Sequence, residues 1–329
     1  MQSLNSFGRL AQAAGRVAVV LAIAAFCTHA VAQAYPSKSI RFVVPFPAGS
    51  ATDVVGRIVA QAFGEAMGQS VAVENKAGAN GILGAEAVKA AAGDGYTFLV
   101  TTSTTQAANV SLYKKLPYDP VKDFTPIGKI GETGFILMVR SEFPAKDLKE
   151  FIAYGKANPG KLAFGHGSSG SLVSAALLSQ MAGIDTVNVP YKGIPPALAD
   201  LLGGQLQFAF ADVGNAVAQM NGGRLRGLAI TTARRAGKAP QVPPIGETVK
   251  DYEVSAWFGL MAPANLPPDV FAKAQTAFLA LMAKPDVREK IAAAGIDIDV
   301  QNSAQLARTI DFEIKKWATW VKAAGIAPE

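Results

Sequence analysis

The amino-acid sequence predicts an α/β protein of two lobes that are joined by two crossing strands. Short apolar runs typical of buried strands alternate with capped, amphipathic helical segments along 40–105, and the same alternation returns along 146–231. Two long extended runs, at 127–139 and 252–262, separate these stretches. We therefore expect the chain to leave the first lobe through one crossing strand, build the second lobe, and return through the other, which makes a hinge.

Size and composition agree with two lobes. The 329-residue chain is 50% hydrophobic, and the roughly 295 residues that follow a predicted leader exceed what one typical core needs. We expect lobe 1 to comprise 35–133 and 257–329, and lobe 2 to comprise 134–256. The formal charge of +6 falls to about +4 without the leader and accompanies no nucleic-acid-binding motif, so no nucleic-acid partner is expected.

Residues 1–34 have the features of a secretory signal peptide. Arg9 and Arg16 form a basic region before the apolar segment Val17–Phe26, which is too short to span a bilayer comfortably. An A-x-A cleavage site ends at Ala34. We therefore expect export, cleavage after Ala34 and a periplasmic product.

The one cysteine of the sequence, Cys27, lies inside this leader. The exported chain would then form no disulfide, bind no metal through a thiolate and use no thiol nucleophile. Neither a calcium-loop motif nor a cluster of histidines occurs in the sequence. We therefore expect no metal and no cofactor.

The stretch Ile40–Arg57 combines a buried-strand pattern, a small-residue turn and a helix start. Pro45 and Pro47 end the strand, because proline donates no ladder hydrogen bond. Ser50 and Asp53 have the spacing of a capping box. Free backbone N–H groups and the positive end of a helix dipole would meet there, which predicts an anion site built from the main chain. An ordinary strand–turn–helix without a ligand is the alternative that this stretch leaves open.

Further polar turns follow other predicted strands. Open α/β sheets bind ligands at the carboxyl ends of their strands, so these turns would converge on one cleft, where hydroxyl and backbone donors suit carboxylate oxygens. Each turn taken singly is equally consistent with an ordinary connection. The candidate ligand-binding residues are Phe46, Ala48, Gly49, Ser50, Ala51, Thr52, Asp53, Thr102, Ser103, His166, Ser168, Ser169, Ser171, Tyr191, Gly193 and Asp212.

No catalytic set is evident in the exported chain, which favours a binding function over an enzyme. His166 is the one histidine beyond the leader, and no G-x-S-x-G elbow follows a predicted strand. Two alternatives stay open. One is a periplasmic hydrolase that uses Ser168 or Ser169 with His166, and the other is a ligand-sensing partner of a two-component receptor.

Ordered motifs span almost the whole exported chain. They are YPSK at 35–38, VPF at 44–46, Gly49, TD at 52–53, VEN at 73–75, GAE at 84–86, DGYT at 94–97, LPYDP at 116–120, ANPGK at 157–161, VPYKG at 189–193, WFG at 257–259 and PDVR at 285–288. Together they closely resemble the Bug family, the periplasmic solute receptors of tripartite tricarboxylate transporters.

This resemblance implies a type II periplasmic-binding-protein fold, the Venus flytrap, that closes on a small organic carboxylate. The implied ligands are dicarboxylates, tricarboxylates, acidic amino acids or aromatic acids, and the implied partners of a monomeric receptor are membrane permease subunits. In such receptors the loops that match Phe46–Asp53 and Gly165–Ser171 grip a carboxylate from both lobes, largely through backbone and ordered water. The loop at Tyr191, and Asp212, match the second-lobe side, where Asp212 would accept a ligand hydrogen bond or orient loop donors.

The chain departs from the family pattern in two places. It carries Gly49-Ser50 where two glycines are common, and it carries His166 in place of a histidine found a few residues into the following helix. The identity of the bound acid is therefore the property that the resemblance transfers least.

Overall fold

The computed structural model describes residues 35–329, and the predicted leader with its cleavage site lies outside them. The strands are β1 Ile40–Val44, β2 Val71–Asn75, β3 Thr97–Thr102, β4 Phe124–Thr133, β5 Phe135–Arg140, β6 Leu162–His166, β7 Thr186–Pro190, β8 Phe208–Asp212, β9 Leu225–Ile230, β10 Ala256–Pro263 and β11 Asp297–Asn302. The helices are α1 Ala51–Met67, α2 Ile82–Lys89, α3 Asn109–Leu112, α4 Leu148–Ala157, α5 Ser169–Ala182, α6 Ile194–Leu202, α7 Val213–Asn221, α8 Pro268–Ala283, α9 Pro285–Ala293 and α10 Ser303–Ala323. No helix within 35–329 combines the length and apolarity required to cross a bilayer.

The strands of the described chain form two mixed sheets. The first has the order β11-β4-β10-β3-β1-β2, with β1, β2 and β3 parallel and β4, β10 and β11 antiparallel to their neighbours. The second has the order β7-β6-β8-β5-β9, in which β6, β7 and β8 are parallel and β5 is antiparallel to β8 and β9. Helices connect the parallel strands, as β-α-β crossovers require. The predicted two-lobed α/β fold is confirmed, and the lobe boundaries stay a prediction.

One of the two predicted crossing strands is divided at Gly134. The extended run at 127–139 was expected as a single strand, but β4 ends at Thr133 and β5 begins at Phe135. β4 pairs with β10 and β11, whereas β5 pairs with β8 and β9. The chain therefore passes from one sheet to the other through one residue, because the two halves of the run satisfy their backbone hydrogen bonds in different sheets.

Strand β11 was not predicted, although its sequence DIDVQN alternates apolar and polar residues as an edge strand does. It pairs with β4 at the margin of the first sheet. Lys129 of β4, only 1% exposed, hydrogen-bonds to Asp299 of β11 at 2.6 Å and to Glu132. A fully buried lysine requires such partners, so β11 supplies charge as well as backbone pairing.

The C-terminal helix α10 belongs to the cores of both lobes. Its Leu306 and Ile310 pack with residues of the first sheet such as Val43. Near its end, Trp317 and Val321 lie in the cluster that contains the second-lobe core. A helix that buries apolar surface in both lobes adds a third connection beside the two crossing strands.

Candidate ligand-binding cleft

A cavity of about 50 Å³ lies between the two sheets, at the carboxyl ends of several strands. On this scale a single water needs about 10–15 Å³, so the enclosed space suits a small molecule. Its lining comes from both lobes and from the crossing segments. The lining residues are Phe46, Ser50, Ala51, Thr52, Thr102, Thr104, Thr133, Phe135, Gly167, Ser168, Ile194, Asp212, Ala256 and Phe258.

The first-lobe side of the cavity is the start of α1. Ser50 is the N-cap, and its Oγ accepts a hydrogen bond from the N–H of Asp53 at 3.3 Å. Within 35–329, no residue accepts a hydrogen bond from the N–H of Ala51 or Thr52. Both residues line the cavity, so two N–H donors at the positive end of a 17-residue helix are available to an anion.

The predicted capping box is only half formed, because Asp53 turns its carboxylate away from the N–H of Ser50. The carboxylate accepts hydrogen bonds from the N–H of Gly49 at 3.0 Å, from Asn75 at 2.8 Å and from Arg57 at 3.1 Å. Burial alone would raise the pKa of Asp53, but these donors outweigh it and hold the pKa below its ordinary value. Asp53 does not line the cavity, and its contacts brace the loop that does.

The sequence predicts a helix from Leu172 on the second-lobe side of the cavity, but helix α5 starts three residues earlier, at Ser169. A complete capping box explains the earlier start, since the Oγ of Ser168 accepts from the N–H of Ser171 and the Oγ of Ser171 accepts from the N–H of Ser168. The Oγ of Ser171 also accepts from Gly167 at 3.0 Å. Ser168 and Gly167 line the cavity, and Ser171 holds them in place.

Asp212 ends β8 and caps α7 at the same cavity. Its Oδ1 accepts hydrogen bonds from the backbone and side-chain nitrogens of Asn215 at 3.1 Å, and its Oδ2 accepts from the side chain at 3.0 Å. Asp212 is 6% exposed. Burial raises the pKa of this carboxyl, and the bonds from Asn215 offset only part of that effect.

The floor of the cavity is formed by segments that sequence reasoning did not assign to the site. Thr133 and Phe135 flank the crossing at Gly134, while Ala256 and Phe258 belong to the returning strand β10. Loops after strands could be predicted from turn residues, but these side chains reach the cavity only because both crossing strands run behind it. Phe258 belongs to the WFG motif at 257–259, which contributes to the family resemblance but has no sequence signature of a binding site.

The polar tip after β3 is only partly in the cavity. Thr102 and Thr104 line it, and the N–H of Thr104 donates to the Oγ1 of Thr102 at 3.1 Å. Ser103 between them is fully buried and is not part of the lining. This tip continues into a π-helical turn at Thr104–Ala108, of which only Thr104 lines the cavity.

His166 and Tyr191 lie in a second cavity of about 320 Å³ on the far side of Gly167. The Tyr191 hydroxyl donates to Asp200 at 2.6 Å within the second lobe. Ala48 and Gly49 are exposed on the rim. The structure thus gathers seven of the sixteen candidates around the cleft cavity: Phe46, Ser50, Ala51, Thr52, Thr102, Ser168 and Asp212. Ala48, Gly49, Asp53, Ser103, His166, Ser169, Ser171, Tyr191 and Gly193 lie outside its lining.

Two of the candidates outside the lining form contacts across the cleft. The Oγ of Ser169 in the second lobe accepts from Asn80 of the first at 2.6 Å and lies 3.2 Å from the Oδ1 of Asn109. Gly193 approaches Pro47 so closely that a Cβ on the glycine would lie 2.5 Å from the proline ring. The two lobes therefore contact each other beside the cavity, and Ser169 and Gly193 belong to that contact.

The electrostatics of the cavity come from the main chain. None of its lining residues is a lysine, arginine or histidine. The N-cap residues of α1, α5 and α7, which are Ser50, Ser168 and Asp212, all line it, and so does Ile194 at the start of α6. Four helices thus direct their positive ends toward one space, which favours an anion without a cationic side chain.

Two sheets with a shared cleft, crossing strands and helix starts that face the cleft define a two-lobed periplasmic solute-binding protein. The chain belongs to the tripartite tricarboxylate transporter family of receptors, TctC, whose family model matches residues 55–326. The resemblance to the Bug family is confirmed, since protein BugT of Bordetella pertussis is 32% identical over 315 residues, 94% of this chain and 96% of BugT.

Solved structures of similar proteins have the same fold. A Rhodopseudomonas palustris protein with adipate is 31% identical with a TM-score of 0.87, over 90% of this chain and 100% of its own. MatC of the same species with bound malate is 32% identical with a TM-score of 0.80, over 87% and 100%. Members of this family are binding receptors, so this protein is not an enzyme. No hydrogen bond within 35–329 joins the His166 ring to Ser168 or Ser169, as the hydrolase alternative would require.

Proposed function

We propose that this receptor captures a small organic carboxylate between its lobes and delivers it to the membrane permease subunits of a tripartite tricarboxylate transporter. The observation that carries the proposal is the pair of N–H donors of Ala51 and Thr52, which have no acceptor within 35–329 and belong to residues that line a cavity between the two lobes. A carboxylate there would gain charge-assisted hydrogen bonds without a cationic side chain. The similar proteins with adipate and with malate support this class of ligand.

The ligand candidates are dicarboxylates, tricarboxylates, acidic amino acids and aromatic acids. Capture would take place in the periplasm after cleavage behind Ala34, by a monomer. A ligand that contacts both lobes stabilises the state in which they touch, because it makes more contacts there. That state would then be the one that the permease recognises.

The binding step is tested by thermal unfolding of protein that begins at residue 35, against a panel of carboxylic acids, sugars and cations. A true ligand at 100 times its Kd should add about 2.7 kcal/mol to the free energy of unfolding. Mass spectrometry of ligand released from the denatured protein should identify a carboxylic acid. A shift with sugars or cations, and none with any acid, would contradict the proposal.

A matched pair of variants locates the site. Ala51→Tyr places a large ring in the cavity that Ala51 lines, so it should abolish the ligand-induced shift. Val54→Tyr on the same helix is the control, since Val54 is 38% exposed and lies outside the cavity lining. Equal binding by the two variants would place the ligand elsewhere. Uptake of the acid by cells should require both the receptor and the permease genes.

A further inference from the structure

Asn80 has an uncommon backbone conformation at the place where the two lobes meet. It lies in the turn between β2 and α2, and its φ of 52° follows a φ of 46° at Ala79. Residues other than glycine are disfavoured in this left-handed region, although asparagine tolerates it better than alanine. Such residues are kept only where the surrounding structure holds them, and they concentrate at functional positions. The side-chain contacts of Asn80 show what holds this turn.

Asn80, Asn109 and Ser169 form a hydrogen-bonded group across the cleft, here called the cross-cleft cluster. Nδ2 of Asn80 donates to the Oγ of Ser169 at 2.6 Å and to the Oδ1 of Asn109 at 2.9 Å. The Oγ of Ser169 donates to the same Oδ1 at 3.2 Å, and Nδ2 of Asn109 donates to the backbone oxygen of Asn80 at 3.1 Å. Asn109 and Ser169 are fully buried. The cluster therefore joins the lobes through groups that are shielded from water.

The cluster is completely hydrogen-bonded only while the lobes are in contact. A side-chain amide has two acceptor positions on its oxygen and two donors on its nitrogen. Both acceptor positions of Asn109 are taken, by Asn80 and Ser169. Its nitrogen donates to Asn80 and to the Tyr118 hydroxyl, the latter at 3.3 Å. Moving the second lobe away removes Ser169 from this set, so the cluster favours the state in which the lobes touch.

Ser169 is flanked in the chain by residues that contact the cavity or its wall. Ser168 before it lines the cleft cavity. Gly170 after it lies so close to Phe135, another lining residue, that a Cβ on the glycine would overlap the phenylalanine ring. The three residues are consecutive at the start of one helix whose capping box is complete. A ligand that moves Ser168 toward the first lobe therefore moves Ser169 toward Asn80.

From these contacts we propose that Asn80 is a positioning residue that determines how long the cleft retains its ligand. Asn80 is not part of the cavity lining, so it acts through Ser169. Its bond to Ser169 forms after the ligand has entered and must break before the ligand leaves. Loss of the Asn80 side chain should therefore accelerate dissociation and leave association almost unchanged. This inference rests on the proposed function for the existence of a cleft ligand, and it goes beyond it by naming what controls release.

The backbone conformation of Asn80 allows a closely matched set of variants. Asn80→Gly removes the side chain and places at φ 52° a residue that adopts this conformation without strain. Asn265→Gly is the control, because Asn265 also has a left-handed φ, of 62°, but is exposed and belongs to none of these contacts. Asn80→Asp is a second variant, which keeps the size of the side chain and replaces the donor nitrogen with an acceptor oxygen.

Stopped-flow tryptophan fluorescence of protein that begins at residue 35 measures the two rates. The probes are succinate, glutamate and benzoate, and the acid that binds most tightly is used for all variants. Dissociation should be about tenfold faster in Asn80→Gly and Asn80→Asp, because each loses the two bonds that Nδ2 donates. Association should change by less than about twofold. Asn265→Gly should match the wild type in both rates.

The distance between two spin labels tests the same inference without a ligand. Protein that begins at residue 35 contains no cysteine, so labels attach only to introduced thiols. Val121→Cys and Val187→Cys provide one in each lobe, at side chains that are exposed in the structure. In double electron–electron resonance, Asn80→Gly should have a smaller share of the shorter inter-lobe distance than the wild type, and Asn265→Gly should have the same share.

Wild-type dissociation rates in both Asn80 variants would overturn the inference and leave the proposed function intact. So would a loss of affinity that lies wholly in the association rate. If none of the three probes binds, the labelled protein decides the inference separately from the proposed function. Identical distance distributions of Asn80→Gly and the wild type would then overturn it, since the side chain would have no influence on how the lobes are held.

Discussion

Lowering the pH should destabilise this protein through His166. The imidazole ends β6, its ring centroid lies 6.1 Å from that of Phe164, and it lines the cavity beside Gly167. Burial penalises the charged ring and lowers its pKa from the ordinary value of 6.5 to about 4. In the unfolded chain the same ring takes up its proton near pH 6.5. Between these two pH values, His166 therefore binds fewer protons in the folded state than in the unfolded state.

The sign and the size of the effect follow from proton linkage. Because the unfolded state binds more protons in this window, the free energy of unfolding decreases as the pH falls from 6.5 to about 4. The window spans about 2.5 pH units, and each unit corresponds to about 1.4 kcal/mol. The contribution of His166 is therefore about 3.5 kcal/mol at most, and partial exposure of the ring to the cavity reduces the expected contribution to about 2 kcal/mol.

Urea denaturation at pH 7.5, 6, 5 and 4 measures this contribution as the difference between wild type and His166→Gln, which cannot titrate. The free energy of unfolding of the wild type should fall by about 2 kcal/mol more than that of the variant between pH 7.5 and 4. Asn188→Gln in the neighbouring cavity is the control and should follow the wild-type curve. Parallel curves for wild type and His166→Gln, or an NMR titration of the ring near pH 6.5, would refute the reasoning.

Three substitutions test the contacts around the cleft. Ser169→Ala removes the hydroxyl that is hydrogen-bonded to Asn80 across the cleft and should weaken ligand binding about 5- to 10-fold. Ser179→Ala is the control and should leave the affinity unchanged, because the hydrogen bonds of Ser179 stay within the second lobe. Equal affinities of the two variants would exclude a role for the contact between Ser169 and Asn80. Gly193→Ala would bring a Cβ to 2.5 Å from Pro47 of the other lobe. Calorimetry should therefore show ligand binding weakened about tenfold or more, with an unchanged melting temperature in the absence of ligand. A lower melting temperature would instead indicate damage within the second lobe. Asp53→Asn should lower the free energy of unfolding in urea by about 1–2 kcal/mol, because it weakens the charge-assisted hydrogen bond from Arg57. An unchanged denaturation midpoint would show that the Asp53 carboxylate does not stabilise the loop before α1.

Much of the architecture could be predicted because it depends on local patterns. Helix α1 ends at Gly68 in the left-handed conformation, as the glycine after its apolar run indicates. The sequence predicts a helix over 268–283, since prolines mark its start and Lys284-Pro285 ends it, and helix α8 has these bounds. Where the prediction was wrong, at Gly134, the local pattern was still that of a strand, and only the identity of the pairing partners divides it.

The site residues on the loops could be predicted from the sequence, whereas those on the floor of the cavity could not. Ser50 could be identified because N-caps have a sequence signature, and Ser168 because it lies in a polar turn after a predicted strand. Both line the cavity. Phe135 and Thr133 have no such signature, since they belong to an ordinary apolar run. The role of Asp53 also escaped prediction, because the partners of its carboxylate include Asn75, 22 positions away in the sequence.

Most of the strands and helices, and the family of this receptor, could be predicted from its sequence, because each depends on side chains that are neighbours along the chain. Which polar groups meet was decided by the tertiary structure. Asn80 and Ser169 are 89 positions apart in the sequence and 2.6 Å apart in space, and Asp212 lines the same cavity as Ser50 of the other lobe. Such pairs depend on how two sheets are set against each other, and no local pattern records that arrangement.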